Sequence, residues 1–161
     1  MAEEGVSMRE ILFRGKRLDT GEWVEGFLLK VTIDGKTAYL IFGDNFCFDG
    51  SDVKALSHAL VDPATVGQFT GLVDKDDKRI FEGDLFRDES EDLTAVVIFK
   101  DGCFRLEWHG ITGTWTESGF DECGGGYGIT ECEPVDYWYV HDMEVIGNIH
   151  DNPELLEGGQ A

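Results

Sequence analysis

The chain has 161 residues, 42% of them hydrophobic, with eleven Phe, four Trp and four Tyr, which is too apolar and aromatic for a disordered polypeptide and long enough to bury a core. Thirteen Lys and Arg against 33 Asp and Glu leave a net charge of −20, a field that repels phosphate backbones and anionic lipid and so disfavours direct nucleic-acid or membrane binding. No apolar run reaches the length of a membrane span and no secretory h-region is present.

Patterned sequence begins at Met8, so residues 1–7, MAEEGVS, are expected to form a disordered leader. ILFRGKRL, a turn at Asp19-Thr20-Gly21 and EWVEGF then read as strands. In FLLKVTIDGKTAYLIF, a two-residue turn at Asp34-Gly35 places Ile33 opposite Lys36, Val31 opposite Ala38, Leu29 opposite Leu40 and Phe27 opposite Phe42. One face of this hairpin is almost wholly apolar, and burying it would fix the register. Asp-Gly accepts the positive φ angles of a type I′ turn. Asp62-Pro63-Ala64-Thr65 offers an N-cap residue followed by proline at the first helical position, enough for one turn.

GLVDKDDKRIFEGDLF, from Gly71 to Phe86, bunches the acids Asp74, Asp76, Asp77, Glu82 and Asp84. A calcium loop starting at Asp74 would need an oxygen ligand where Lys78 stands, glycine where Arg79 stands and glutamate where Leu85 stands. A hairpin fits better: Leu72-Val73 and Ile80-Phe81 flank a polar tip, and Gly83-Asp84 supplies a bulge or second turn. DESED at 88–92 repels itself and reads as a solvated connection. In AVVIFKDGCFRLEW, a turn at Asp101-Gly102 sets Phe99 opposite Phe104, Val97 opposite Leu106 and Ala95 opposite Trp108. The other face carries Ile98, Lys100, Cys103, Arg105 and Glu107, a mixed set suited to water.

DECGGGYGITECEPVD at 121–136 reads as a mobile excursion. Its Gly124–Gly128 run lacks the Lys and Ser/Thr of a phosphate-cradling loop. Cys123 and Cys132, even with His109 or His141 near in the fold, do not have a structural zinc spacing. The acids Asp121, Glu122, Glu131, Glu133 and Asp136 do not fix a carboxylate pair at working distance. None of Cys47, Cys103, Cys123 and Cys132 forms a C-x-x-C pair, so free thiols in a reducing cytoplasm are expected. His58, His109, His141 and His150 are scattered. No catalytic, cofactor or metal residue is assigned. YWYVHDMEVIGNI reads as strand, and Asn152-Pro153 opens a second helical turn before Gly158-Gly159. The cluster Tyr137-Trp138-Tyr139 is the candidate interaction surface, with the protomer core as its competing place.

The expected fold is all-β: antiparallel hairpins curled into one or two small barrel-like units, with two short helical turns. It spans residues 8–161 as one domain, or as two subdomains meeting near residue 60.

Several of these stretches together resemble the YopX proteins of bacteriophages and prophages. Met8-Arg9-Glu10-Ile11 with Phe13-Arg14 looks like that family's start. VDPATVGQFTGLVDKDDKRIFEGDLF, VIFKDGCFRLEW and EVIGNIHDNPELL are similar to its later motifs, in the same order. The chain departs at the hairpin tip, where Asp76-Asp77-Lys78 stands in place of Asn-Gly-Lys, and residues 109–136 match none of these motifs. The resemblance implies a mostly β fold, a phage or prophage origin in a bacterial cytoplasm and a tendency to self-associate, and it brings no catalytic residues. The expectation is a non-enzymatic accessory or interaction protein, forming a homo-oligomer or binding a basic host or phage protein. Two alternatives stand beside it. One is an acidic decoy that offers carboxylates in place of DNA phosphates; the other is a hydrolase or metal enzyme using the 121–136 loop.

Overall fold

A computed structural model of the chain describes residues 10–43, 46–49, 52–55, 58–88, 93–111, 114–116, 119–121, 127–135 and 142–156. The expected leader at 1–7 and the cluster Tyr137-Trp138-Tyr139 lie outside the described residues, as does part of the 121–136 stretch. The structure is antiparallel β, with two isolated 3-10 turns at Pro63–Thr65 and Pro153–Leu155. Its hairpins assemble into two main sheets, and no closed barrel forms among the described residues. No described helix is long and apolar enough to cross a membrane. The chain divides into two compact units, one ending at Gly71 and one starting at Leu72.

The first unit contains β1 (Phe13–Lys16), β2 (Trp23–Ile33), β3 (Lys36–Phe42), the hairpin β4 (Phe46–Asp49) with β5 (Asp52–Ala55), β6 (His58–Leu60) and most of β7 (Gly67–Val73). Its strands lie in the order β6-β3-β2-β1-β7. β2 and β3 pair in the register expected from the Asp-Gly arithmetic: Phe27 with Phe42, Leu29 with Leu40, Val31 with Ala38 and Ile33 with Lys36. Asp34 (φ 50°) and Gly35 (φ 74°) both take the left-handed conformation of a type I′ turn.

The buried face is the opposite one from that expected. Ile41 and Ala59 are buried together with Leu12, Val61 and Phe69, whereas Phe27, Leu29, Ile33 and Leu60 stand in water. The reason lies in β1. A Cβ on Gly15 would come within 3.2 Å of Val61 and 3.3 Å of Ile41, so the missing side chain lets both close over the strand. The core therefore forms on the Ile41 side, and period-2 alternation leaves the other face outside.

The second unit contains β8 (Arg79–Phe81), β9 (Asp84–Asp88), β10 (Leu93–Lys100), β11 (Cys103–Ile111), the short pair β12 (Thr114–Thr116) and β13 (Gly119–Asp121), β14 (Tyr127–Pro134) and β15 (Gly147–Asn148). Its main sheet runs β14-β11-β10-β9-β15. Again the predicted register is found, with Phe99 opposite Phe104, Val97 opposite Leu106 and Ala95 opposite Trp108. Here the predicted face is the buried one: Ala95, Val97, Leu106 and Trp108 join Ile80, Phe86 and Val145 in the core. The mixed face is drier than its composition suggests. Thr94 and Val96 are buried on it, and Arg105, Glu107 and His109 are half-buried, with Glu107 Oε1 3.3 Å from His109 Nε2. A bulge between Trp108 and His109 shifts the pairing of β11 with β14.

Candidate functional site

The acidic stretch is a hairpin tip, and one of its carboxylates is internal. Asp74 is buried at 2% exposure beside Asp76 and Asp77 in open water. Its Oδ1 accepts the backbone N–H groups of Asp76 and Lys78, both at 2.9 Å, and its Oδ2 accepts that of Val145 at 3.1 Å. Burial pushes this carboxyl up, but the three backbone donors, led by Val145, and the Lys78 ammonium outweigh it and hold the group below its ordinary value. Asp74 thus shapes the turn and fastens to it a segment 71 residues away. Lys75 strengthens the junction: its N–H donates to Met143 O at 3.0 Å, and its ammonium meets Asp76 at 2.7 Å and Glu144 at 3.0 Å. Those two carboxylates raise the ammonium to about 12. Asp77 takes φ 61°, the conformation that a glycine would adopt at no cost.

The other recurring motifs act in the same manner. Asp84 is buried, and its Oδ2 accepts the Phe81 N–H at 2.7 Å across a turn in which Gly83 has φ 87°. Gly83 N–H then donates to Val97 O, and Gly83 O accepts from Ile149. Asn148 Oδ1 accepts from His150 N–H at 2.9 Å and from Asp151 N–H at 3.0 Å. A Cβ on Gly147 would fall on Asn152 Oδ1, which accepts instead from Asn148 N–H at 3.4 Å and makes no cap for the second 3-10 turn. In the first unit Asp62 caps its turn through Ala64 N–H, and Thr65 Oγ1 accepts from Lys16 N–H at 2.8 Å, tying β1 to that turn. Polar side chains that could look like chemistry in the sequence are engaged in holding loops.

What the described structure offers to a partner is the outer face of β2, β3 and β6. Register aligns it in rows across the strands: Phe27, Phe42 and His58; Leu29, Leu40 and Leu60; Val31 and Ala38; Ile33 and Lys36. Phe27, Leu29, Ile33 and Leu60 are 47%, 46%, 67% and 50% exposed. The His58 ring lies 5.6 Å from that of Phe42, tilted by 31°. Leu18, also exposed, reaches the border of this face because its N–H donates to Leu60 O. No Asp or Glu stands in these rows; Lys36 and His58 are their ionisable members. β1 pairs with β2 no further than Gly26, and β6 pairs with β3 only from Leu40 onward. Among the described residues, the turn end of the β2–β3 hairpin is therefore a two-stranded arm with both edges open.

Of the residues considered for chemistry, register brings two near one another: Cys132 lies opposite Glu107, whose Oε1 is 3.3 Å from His109 Nε2. Cys123 and His141 are not described. By backbone register Cys132 pairs with Glu107, His109 with Ile129, Glu131 with Trp108 and Glu133 with Leu106. No group of three metal-ligating side chains gathers among the described residues. The β2–β3–β6 face was visible in the sequence as an apolar stripe, and its exposure was not.

Comparison with known proteins gives two findings. The family model described as YopX protein matches residues 12–157 of this chain. Among solved structures, the crystal structure of protein EF1440 from Enterococcus faecalis is similar at 25% identity, covering 93% of this chain and 100% of that one, with a TM-score of 0.47. No functionally curated protein matches.

Proposed function

The chain belongs to the YopX family, and from that premise we propose that it is a phage-associated accessory protein that works in the host cytoplasm by binding other proteins, without catalysing a reaction. The observation that carries this reading is the outer face of β2, β3 and β6. At about half exposure each, Phe27, Leu29, Ile33 and Leu60 alone put on the order of 400 Å² of apolar surface in water, with roughly 150–250 Å² per large side chain. A patch of that size matches the largest apolar patch on an ordinary soluble monomer, and such patches are often functional. The hairpin locks around Asp74, Asp84 and Asn148 support the same reading, since each is a device for holding loops and strands in place.

The test is affinity capture from bacterial lysate with wild-type protein and with Leu29→Glu as baits, each at low and high salt. The proposal expects a partner retained by the wild type at high salt and lost from Leu29→Glu. Identical capture by both baits would refute it. Capture that is abolished by salt and indifferent to Leu29→Glu would instead point to the acidic-decoy reading, because screened long-range charge would then be the attraction.

A further inference from the structure

The β2–β3 arm exposes an edge as well as a face. In a two-residue type I′ hairpin the pair flanking the turn, Ile33 with Lys36, exchanges both backbone bonds, and bonded and open pairs then alternate along the ladder. Phe27, Leu29, Val31 and Ile33 therefore turn their backbone groups to β3, whereas Leu28, Lys30 and Thr32 turn theirs away from it. β1 stands on that side, but its pairing with β2 stops at Phe13 and Gly26, and Leu12 O accepts instead from the Phe69 N–H of β7. Among the described residues, the N–H and C=O groups of Leu28, Lys30 and Thr32 thus line an open strand edge. Such an edge is a template for one more strand. Lys30 stands exposed at its middle, with its ammonium 5.6 Å from the Tyr39 ring. Glu25 lies behind the edge, opposite Arg14 by register, and Asp34 lies beyond it in the turn.

We propose that the edge of β2 from Phe27 to Ile33 binds an extended segment of another protein, added as an antiparallel strand in line with β1. The inference rests on the reading of the chain as an interaction protein and names the chemistry of its partner. An added strand meets the open backbone groups of Leu28, Lys30 and Thr32; the ladder supplies affinity, and alternate side chains supply specificity. Residues across from Phe27, Leu29, Val31 and Ile33 stand on the outer face beside exposed apolar neighbours, so they are apolar and best β-branched. The residue across from Lys30 stands on the other face, where a carboxylate makes an opposite-charge cross-strand pair and an ammonium would be repelled. Small polar residues suit the places across from Leu28 and Thr32. The partner segment therefore alternates apolar and polar residues, with an acid at its centre. A single acid keeps the repulsion from a chain of net charge −20 small. A third strand also steadies the arm, since a two-stranded ribbon alone is marginal in water.

The test is fluorescence anisotropy of the labelled peptide Val-Thr-Val-Glu-Val-Thr-Val, of its counterpart with a central Lys, and of two N-methylated forms, titrated with wild type, Thr32→Pro and Thr37→Pro. The expected result is saturable binding of the Glu peptide to the wild type and about tenfold weaker binding of the Lys peptide. Methyl groups on the Thr and Glu nitrogens, which face β2, weaken binding by at least about tenfold. On the Val nitrogens, which face away, they leave it within about threefold. Thr32→Pro removes an outward N–H without breaking the β2–β3 ladder and weakens binding by about tenfold. Thr37→Pro makes the same change on the opposite edge of the arm and leaves binding intact. If Thr32→Pro unfolds the arm, the two methylated peptides decide on the wild type alone. No binding of the Glu peptide, equal or reversed effects of the two methylation patterns, or loss through Thr37→Pro alone would overturn the inference. Binding that appears only after residues 1–7 are deleted would overturn it in favour of the chain's own leader. A wild-type dimer that Thr32→Pro turns into monomers would overturn it in favour of a second copy. A wild type that ignores the peptides yet loses a captured partner through Leu29→Glu would leave the interaction reading standing and remove only the added strand.

Discussion

Replacing Asp74 by alanine removes one carboxylate and strands three backbone donors. Two of them, the N–H groups of Asp76 and Lys78, sit at an exposed tip and regain water, so their loss costs about 0.5–1 kcal/mol each. The third, Val145 N–H, belongs to a core residue, and leaving it without an acceptor costs about 1–3 kcal/mol. The sum is roughly 2–5 kcal/mol lost from the second unit, reduced by the relief of no longer burying a charge. Urea unfolding followed by Trp108, which is buried in that unit's core, measures it. With a slope of about 2 kcal/mol per molar urea, the midpoint falls by about 1–2.5 M. Asp74→Asn keeps an acceptor for the tip and turns an amide donor toward Val145 N–H, so it loses most of the Val145 term. The folded-state value of this carboxyl is depressed, so its contribution is complete above the ordinary carboxylate range near about 4 and is lost as pH falls through the depressed value. The gap between wild type and Asp74→Ala is therefore constant at neutral pH and narrows in acid. A loss under about 0.5 kcal/mol, or a gap that does not narrow in acid, would refute the lock.

Asp77→Gly relieves a left-handed non-glycine residue at φ 61°, worth about 1–2 kcal/mol, against about 0.5–1 kcal/mol of added chain entropy, so urea unfolding should show the same unit unchanged or stabilised by up to about 1.5 kcal/mol, and not destabilised. Gly26→Ala should destabilise the first unit by more than about 2 kcal/mol, because the added Cβ falls on the Phe42 carbonyl; a thermal melt of the variant checks it. Leu29→Glu, by contrast, should change the stability of a single copy by less than about 0.5 kcal/mol when unfolding is measured at a concentration where copies are separate, since the side chain is already hydrated.

Much of the backbone was legible in the sequence. Asp34-Gly35 and Asp101-Gly102 determine two hairpins because both residues of each pair must take positive φ, and cross-strand partners then follow by counting. Lys78, Arg79 and Leu85 were enough to set aside the calcium loop. The buried side of β2–β3 was not legible. A single hairpin shows which face is apolar, while the choice of the face that is covered depends on Gly15 and Val61, distant residues that admit Ile41 from the other side. Nor does the sequence separate Asp74 from Asp76 and Asp77. One of its three donors lies 71 residues away, and only the folded chain brings Val145 within reach. For Asn152 the local capping signal was present, and a competing local bond took its side chain instead, accepting from the Asn148 N–H four residues back.

The proposed contact surface is the outer face of β2, β3 and β6. Amide hydrogen exchange on the wild type, alone and bound to a partner captured from lysate, tests it most directly. Protection should rise on binding across residues 27–33 and 36–42 and stay unchanged in β10 and β11. Exchange in 27–33 and 36–42 that binding leaves unchanged, or protection gained by β10 and β11 instead, would contradict it.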